Sequence, residues 1–397
     1  MTDRIPDRSK YILPADHPLA RVRPAALGVG AVALAISLAG ALIDRQQFFQ
    51  SYLFGFLFWF GIAIGSLALL MIYHVTGGAW GSVIRRSLES AVRTFPLLAV
   101  LFVPIVLGAH TLYEWADAAK VAHDPLLQHK SVYLNVPFFI GRAVLYFVVW
   151  TLLATFLWRW SDAQENGEER AIGWLENLSR GGLVALGLTF TFAAVDWAMS
   201  LEPHWYSTLY GVLVMGGCLL SAMAFMIQIV ALLATKGPLS GVVQPMQFHD
   251  LGKLMFAFVM LWAYFSLSQL LIMWSGNLPE EIPWYLKRMS GGWQYVGACL
   301  IVFHFALPFV ILLSRDVKRN ARLVAKVALF ILCVRAIEVY WLLTPAFSPH
   351  HFRFHWLYVS TWLGVGGVWL WAFTGGLRNR PLIVWNDPSF PTAGGHA

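Results

Sequence analysis

The sequence predicts an all-α polytopic membrane protein of about ten transmembrane helices, and three observations lead there. Of the 397 residues 58% are apolar and only 12% are charged, against roughly 45–50% and 25% in soluble proteins. The apolar residues are gathered into about ten runs of membrane-spanning length. Lysine and arginine are spread unequally over alternate loops, as they are when topology is set by charge.

The elements follow in order. Residues 1–24 are polar, with Arg4, Arg8, Lys10, Arg21 and Arg23 among acids and prolines; the segment is too long and too acidic for a signal peptide. Apolar runs then place spans at 25–43, 51–74 and 94–112. The next pair, 136–160 and 181–199, carries Arg142 near the start of one and Asp196 near the end of the other. Further runs cover 209–234, 252–274, 291–313, 323–343 and 355–373, and residues 374–397 form a tail. Spans 2–5 and 6–9 have like orientation and are expected to form two four-helix bundles, with spans 1 and 10 peripheral.

Nineteen of the 28 Lys and Arg fall in the N-terminal segment, the loops after spans 2, 4, 6 and 8, and the tail, while six fall in the alternate loops. Basic residues are retained on the cytoplasmic side, so both termini are expected there. This bias accounts for the net charge of +7 without a nucleic-acid partner. Many of the 19 tryptophans, among them Trp80, Trp160, Trp205, Trp274 and Trp356, sit near span ends, where an indole favours the headgroup layer.

Redox ligands are sparse. Cys218, Cys299 and Cys333 lie in apolar runs with no CxxC or CxxCH spacing, so no iron–sulfur cluster, covalent haem or other metal site is encoded. A b-type haem needs two histidines at matching depth, but His304 stands alone near mid-membrane while His110 and His355 lie outside and His74 and His249 inside.

Charge inside a bilayer is costly, about 2.5–3.5 kcal/mol per residue at the centre, so a retained charge faces a partner or a water-filled cavity. Arg142 needs an acid, and Asp196 and Glu338 are the candidates at similar depth. Arg335 and Glu338, three apart, are spaced for an intrahelical ion pair. In span 7, Asp250, Lys253, Tyr264 and Ser268 fall within about 60° of one another at 100° per residue. Such a stripe suits a proton relay; the plainer alternative is an interfacial Asp250–Lys253 pair with Tyr264 packed in the core. Asp196 opens a loop dense in ionisable and aromatic groups, including Glu202 and His204.

The run Asp196-Trp197-Ala198-Met199-Ser200-Leu201-Glu202-Pro203-His204-Trp205-Tyr206-Ser207-Thr208 and the run His249-Asp250-Leu251-Gly252-Lys253-Leu254 resemble the NrfD/PsrC-like membrane subunits of alternative complex III, and the smaller, ActF-type subunit most. Supporting stretches are His74-Val75-Thr76-Gly77-Gly78 through Arg85-Arg86 and Tyr133-Leu134-Asn135-Val136-Pro137. The resemblance implies a non-autonomous subunit of a quinol:cytochrome c (electron acceptor) oxidoreductase in the bacterial inner membrane. It implies quinol or menaquinol as the diffusible cofactor. It also implies a larger NrfD-like paralogue, an iron–sulfur subunit and c-type cytochrome subunits as partners, with haem and iron–sulfur clusters on those chains. Asp196, Glu202, His204, His249, Asp250 and Lys253 stand in the matching motifs and become proton-path candidates, alongside Tyr264, Ser268, Arg142, Arg335 and Glu338 from the charge argument. The rivals are a secondary transporter, whose inverted repeats and midplane helix breaks are not seen in the sequence, and a purely structural anchor for redox subunits.

Overall fold

The computed structural model describes residues 8–378, 380–384 and 387; Arg4 and most of the predicted tail lie outside them. Its long elements are α1 (Pro18–Ile43), α2 (Arg45–Thr76), α3 (Arg85–Val92), α4 (Phe95–Leu107), α5 (Val136–Glu165), α6 (Arg170–Trp197), α7 (Tyr210–Lys236), α8 (Pro245–Gly276), α9 (Trp293–Leu300), α10 (Leu307–Leu313), α11 (Ala321–Leu343) and α12 (Trp356–Gly376). A π-helical turn, Ile301–Ala306, joins α9 to α10 in one continuous rod. The fold is all-α and polytopic. Among the described residues, eight helices are long and apolar enough to cross a membrane, and nine if the bent pair α3 and α4 counts as one span. The predicted tenth span is α12, a 21-residue helix without a charged residue, diluted by Trp and Gly.

Local chemistry sets the boundaries. Asp44 separates α1 from α2 because its Oδ1 accepts the Gln47 N–H at 2.9 Å, an N-cap. Asn135 caps α5 in the same way through the Phe138 N–H, with Pro137 in the first turn. Gln244 and Gln247 form a capping box at α8, and Asn277, at φ 47°, closes it in the left-handed region. The first helix starts at Pro18 rather than near 25, so Arg21 and Arg23 belong to it. The third predicted span, 94–112, is α4 followed by the short helix Ala109–Leu112, and the basic segment before it is the buried helix α3, bent from α4 by 41°.

α2 is the central helix, 94% buried over its most apolar window. It packs against α7, α12, α6, α4 and α3; α5 lies on α6 and α4, and α7 on α8 and α11. α1 lies along α12, where glycines let the backbones meet: a Cβ on Gly367 would stand 2.4 Å from the Ala26 carbonyl oxygen, and one on Gly30 2.8 Å from the Val368 nitrogen. Small residues at a crossing are how helices gain dispersion contacts where lipid removes the hydrophobic drive.

Candidate functional site

Two buried charge clusters flank an interior cavity. The first joins α5 to α6. Arg142 holds Asp196 through two parallel bonds, Nε to Oδ2 at 2.8 Å and Nη2 to Oδ1 at 2.9 Å. One turn further along α5, the Tyr146 hydroxyl donates to Asp196 Oδ2 at 2.9 Å, and after another turn Trp150 Nε1 donates to Thr189 Oγ1 at 3.0 Å. Arg142 Nη1 donates to the Tyr133 carbonyl at 2.9 Å and its guanidinium lies 3.8 Å from the Tyr133 ring centre. Asp196 is fully buried, so its charge is compensated on the spot by a bidentate cation, the strongest form of such a pair.

The second cluster joins α11, α8, α7 and the π-helical turn. Arg335 and Glu338, one turn apart on α11, form an ion pair. Trp262 Nε1 donates to Glu338 Oε1 at 2.6 Å, and Arg335 Nε donates to Ser221 Oγ at 3.0 Å. Gly217 makes room for the guanidinium, since a Cβ there would stand 2.4 Å from Arg335 Nη1. His304 completes the group. It is fully buried, its Nε2 lies 3.9 Å from Glu338 Oε2, and its ring centre lies 4.0 Å from that of Trp262. Neither ring nitrogen has a hydrogen-bond partner, an arrangement that costs about 1–3 kcal/mol per unsatisfied group. A π-helical turn is a frequent mark of a functional position. Here Pro308 explains it, because it lacks the N–H that would bond the His304 carbonyl.

Between the clusters lies a cavity of ≈ 50 Å³ bounded by α2, α6, α7 and α11, with Phe60, Trp197, Tyr210, Cys218, Ser221 and Arg335 in its wall. A cavity needs about 10–15 Å³ of such space to hold one water, so this one has room for a few. Trp197 follows Asp196 in the chain, so the cavity runs from the neighbourhood of the first pair to the guanidinium of the second.

The remaining predicted residues are placed elsewhere. Glu202 is buried in the loop after α6 and receives Lys287 Nζ at 2.8 Å and Arg288 Nη1 at 3.0 Å; burial pushes the Arg288 guanidinium down from its ordinary value, against the pull of Glu202. His204 Nε2 meets Asp124 Oδ2 at 2.7 Å and Lys130 Nζ donates to the Pro203 carbonyl at 2.6 Å. Trp205 stacks on Trp284 with ring centres 4.9 Å apart. The motif after α6 is thus a hub onto which the two longest loops of its face dock. At the opposite end, Asp250 pairs with Lys253 at 3.4 Å, with His249 Nδ1 3.9 Å from Asp250. The span 7 stripe faces out of this chain: Tyr264 is 65% exposed and Lys253 lies on the surface, so Tyr264 is not packed in the core, while the Asp250–Lys253 pair forms as the plainer alternative expects.

Sequence reasoning missed three things. His304 reads in the sequence as a lone mid-membrane histidine because its neighbours, Glu338 and Trp262, stand on other helices; its one local signal is Pro308 four residues on. Trp262 carries no signal of its own inside an apolar run. The charge count places Arg85 and Arg86 in the basic loop after span 2, yet both are buried. Arg85 bonds Glu89, Asp387, Ser161 and Gln164, and Arg86 bonds Glu89 and pairs with Glu165. Among the described residues no group of three or more His, Cys, Asp or Glu side chains is placed to share a metal ion. No protein-family model matches the chain, and no curated protein matches it significantly.

Proposed function

We propose that this chain is a non-autonomous membrane subunit of a quinol:electron acceptor oxidoreductase, in which the Arg335–Glu338–His304 cluster handles protons released with the electrons. Motif resemblance supplies the quinol and the redox partners. The observation that carries the proton role is His304, a buried imidazole with both nitrogens unpartnered beside a carboxylate and one helix from a water-sized cavity. An imidazole can take a proton on one ring nitrogen and give one up from the other, and a neighbouring carboxylate can exchange a proton with it. Quinol oxidation releases two protons with two electrons, so such a pair suits the reaction.

The test is to purify the complex from native membranes in mild detergent, identify the accompanying chains, extract quinone, and assay quinol oxidation and proton release in vesicles. Redox subunits and quinone should accompany the chain, and His304→Leu should slow turnover by about 10²-fold with assembly intact. Isolation alone and quinone-free would refute the quinol role. Unchanged turnover and proton release in H304L would refute the proton role.

A structural-anchor reading is favoured by a different observation. Asp196 and Glu202, the carboxylates of the outer motif, are each held by fixed cations, Arg142 in one case and Lys287 with Arg288 in the other. If the anchor reading holds, apolar replacement of the pairs leaves turnover at the native rate.

A further inference from the structure

We infer that the cleft between α3, α5 and the segment after α12 binds a phosphate group, that of an anionic phospholipid whose acyl chains lie along α4. The cleft is narrow and open to the surface, and Arg86, Glu89, Arg93, Trp158, Leu377 and Arg380 are in its wall. It lies on the face of the molecule that carries the Arg-rich loops.

Three observations lead to this ligand independently of the proposed redox role. First, two cations share one indole: the guanidinium carbons of Arg93 and Arg380 lie 4.6 and 5.1 Å from the Trp158 ring centre. Asp162 neutralises Arg380, which leaves the Arg93 guanidinium on that ring as the charge still to be matched. Second, the walls hold two buried N–H groups without an acceptor, Arg86 Nε and Trp158 Nε1. A bound group that accepts hydrogen bonds would satisfy both. Third, the carboxylates nearby are engaged. Glu89 Oε1 takes Arg85 Nε and Ser161 Oγ while its Oε2 takes Arg86, Glu165 pairs with Arg86, and Asp162 pairs with Arg380. Asp387 receives Arg85 and Tyr73. Among the described residues Arg93 has no ion-pair partner.

A lipid fits better than a free ion because of what continues from the cleft. Arg93 precedes α4, whose outer face presents Val100, Val103 and Leu107, at 66, 49 and 68% exposure. The neighbouring face of α5 presents Leu152 and Phe156. An exposed apolar surface beside a guanidinium cluster matches the two chemistries of a phospholipid.

The experiment uses the full chain, delipidated in mild detergent, with native mass spectrometry. The probes are phosphatidylglycerol, diacylglycerol of the same acyl chains, and inorganic phosphate. Wild-type protein should retain phosphatidylglycerol at least about tenfold more tightly than diacylglycerol. Arg93→Gln should remove about tenfold of that, the worth of one charge-assisted contact, with Arg93→Lys intermediate and Trp158→Phe losing less. Arg93 is exposed and unpaired, so R93Q leaves the fold intact, and an unchanged elution volume checks this. Inorganic phosphate that binds wild type but not R93Q, with no preference between the two lipids, would keep the phosphate site and reject the lipid as its source. Equal retention of the two lipids with no phosphate binding, or an R93Q protein indistinguishable from wild type, would overturn the inference.

Discussion

At the scale of single residues, the informative contrast is between His304 and Asp196. His304 has no partner in the ground state, so His304→Leu removes an unsatisfied group and fills the site with carbon. We expect the melting temperature in detergent to rise, by the equivalent of about 1–3 kcal/mol, while turnover falls. Destabilisation would show that His304 is satisfied by a group such as ordered water whose loss is costly. Asp196 behaves oppositely. Asp196→Asn strands the Arg142 guanidinium in a dry site, costing about 3–5 kcal/mol, whereas the double variant R142M/D196L should recover most of that loss. Activity lost in D196N alone therefore says nothing about proton transfer; the activity of the double variant does. The ion pair in α11 was legible in the sequence because Arg335 and Glu338 are i and i+3 on one helix. The Arg142–Asp196 pair was legible only as a need and a depth, with two acids eligible. His304 and Trp262 were illegible as a pair because no local rule connects residues on different helices.

Among elements, the crossing of α1 and α12 depends on the absence of side chains. Ser37 Oγ donates to Ser360 Oγ, or the reverse, at 2.8 Å across that interface. A Ser37→Cys, Ser360→Cys protein with the exposed Cys299 and Cys333 replaced by alanine should therefore cross-link on mild oxidation. Adding Gly367→Leu, which has no space against the Ala26 carbonyl, should abolish the cross-link. Persistence of the cross-link would mean that the two helices meet elsewhere. The docked loops carry a pH dependence. Partial desolvation pushes the Asp124 carboxyl up, but the N–H groups of Leu127 and Leu126 and the His204 ring outweigh it and hold the carboxyl below its ordinary value. A carboxyl depressed by folding stabilises the folded arrangement above its unfolded pKa, and that support is lost as pH falls through the folded value. Proteolysis of the loop carrying Asp124 should thus stay slow at neutral pH and quicken below about pH 4, and Asp124→Asn should remove the step. The span 7 stripe shows how far periodicity reaches: it correctly groups Asp250 with Lys253 on one face but does not say whether that face looks inward. In a soluble helix polarity marks the outside; in lipid both sides of a helix are apolar, so the cue is lost.

For the whole molecule, charge asymmetry between loops makes a claim that packing does not. The basic loops and the tail share one side by count, and the buried network of Arg85, Arg86, Glu89, Glu165 and Asp387 lies there too. It ties the segment after α12 to α3 and α5, so the chain's last described residue closes a cluster that begins on its second and third helices. A ten-span topology with both termini in the cytoplasm requires α12 to cross, although it falls outside the set of most apolar helices. Its burial against α1 and α2 supplies what its composition lacks, because a helix sheathed by protein need not meet the hydropathy that lipid exposure demands. Fusing a reporter that matures only in the cytoplasm to the C-terminus should therefore give full signal, and fusing it after residue 350, in the segment between α11 and α12, should give none. Equal signal from the two sites would place α12 on one side of the membrane and leave nine spans. In that case the Arg85–Asp387 network would have to sit on the side opposite the other basic loops, and retention of positive charge would no longer explain the bias of 19 to six in the sequence.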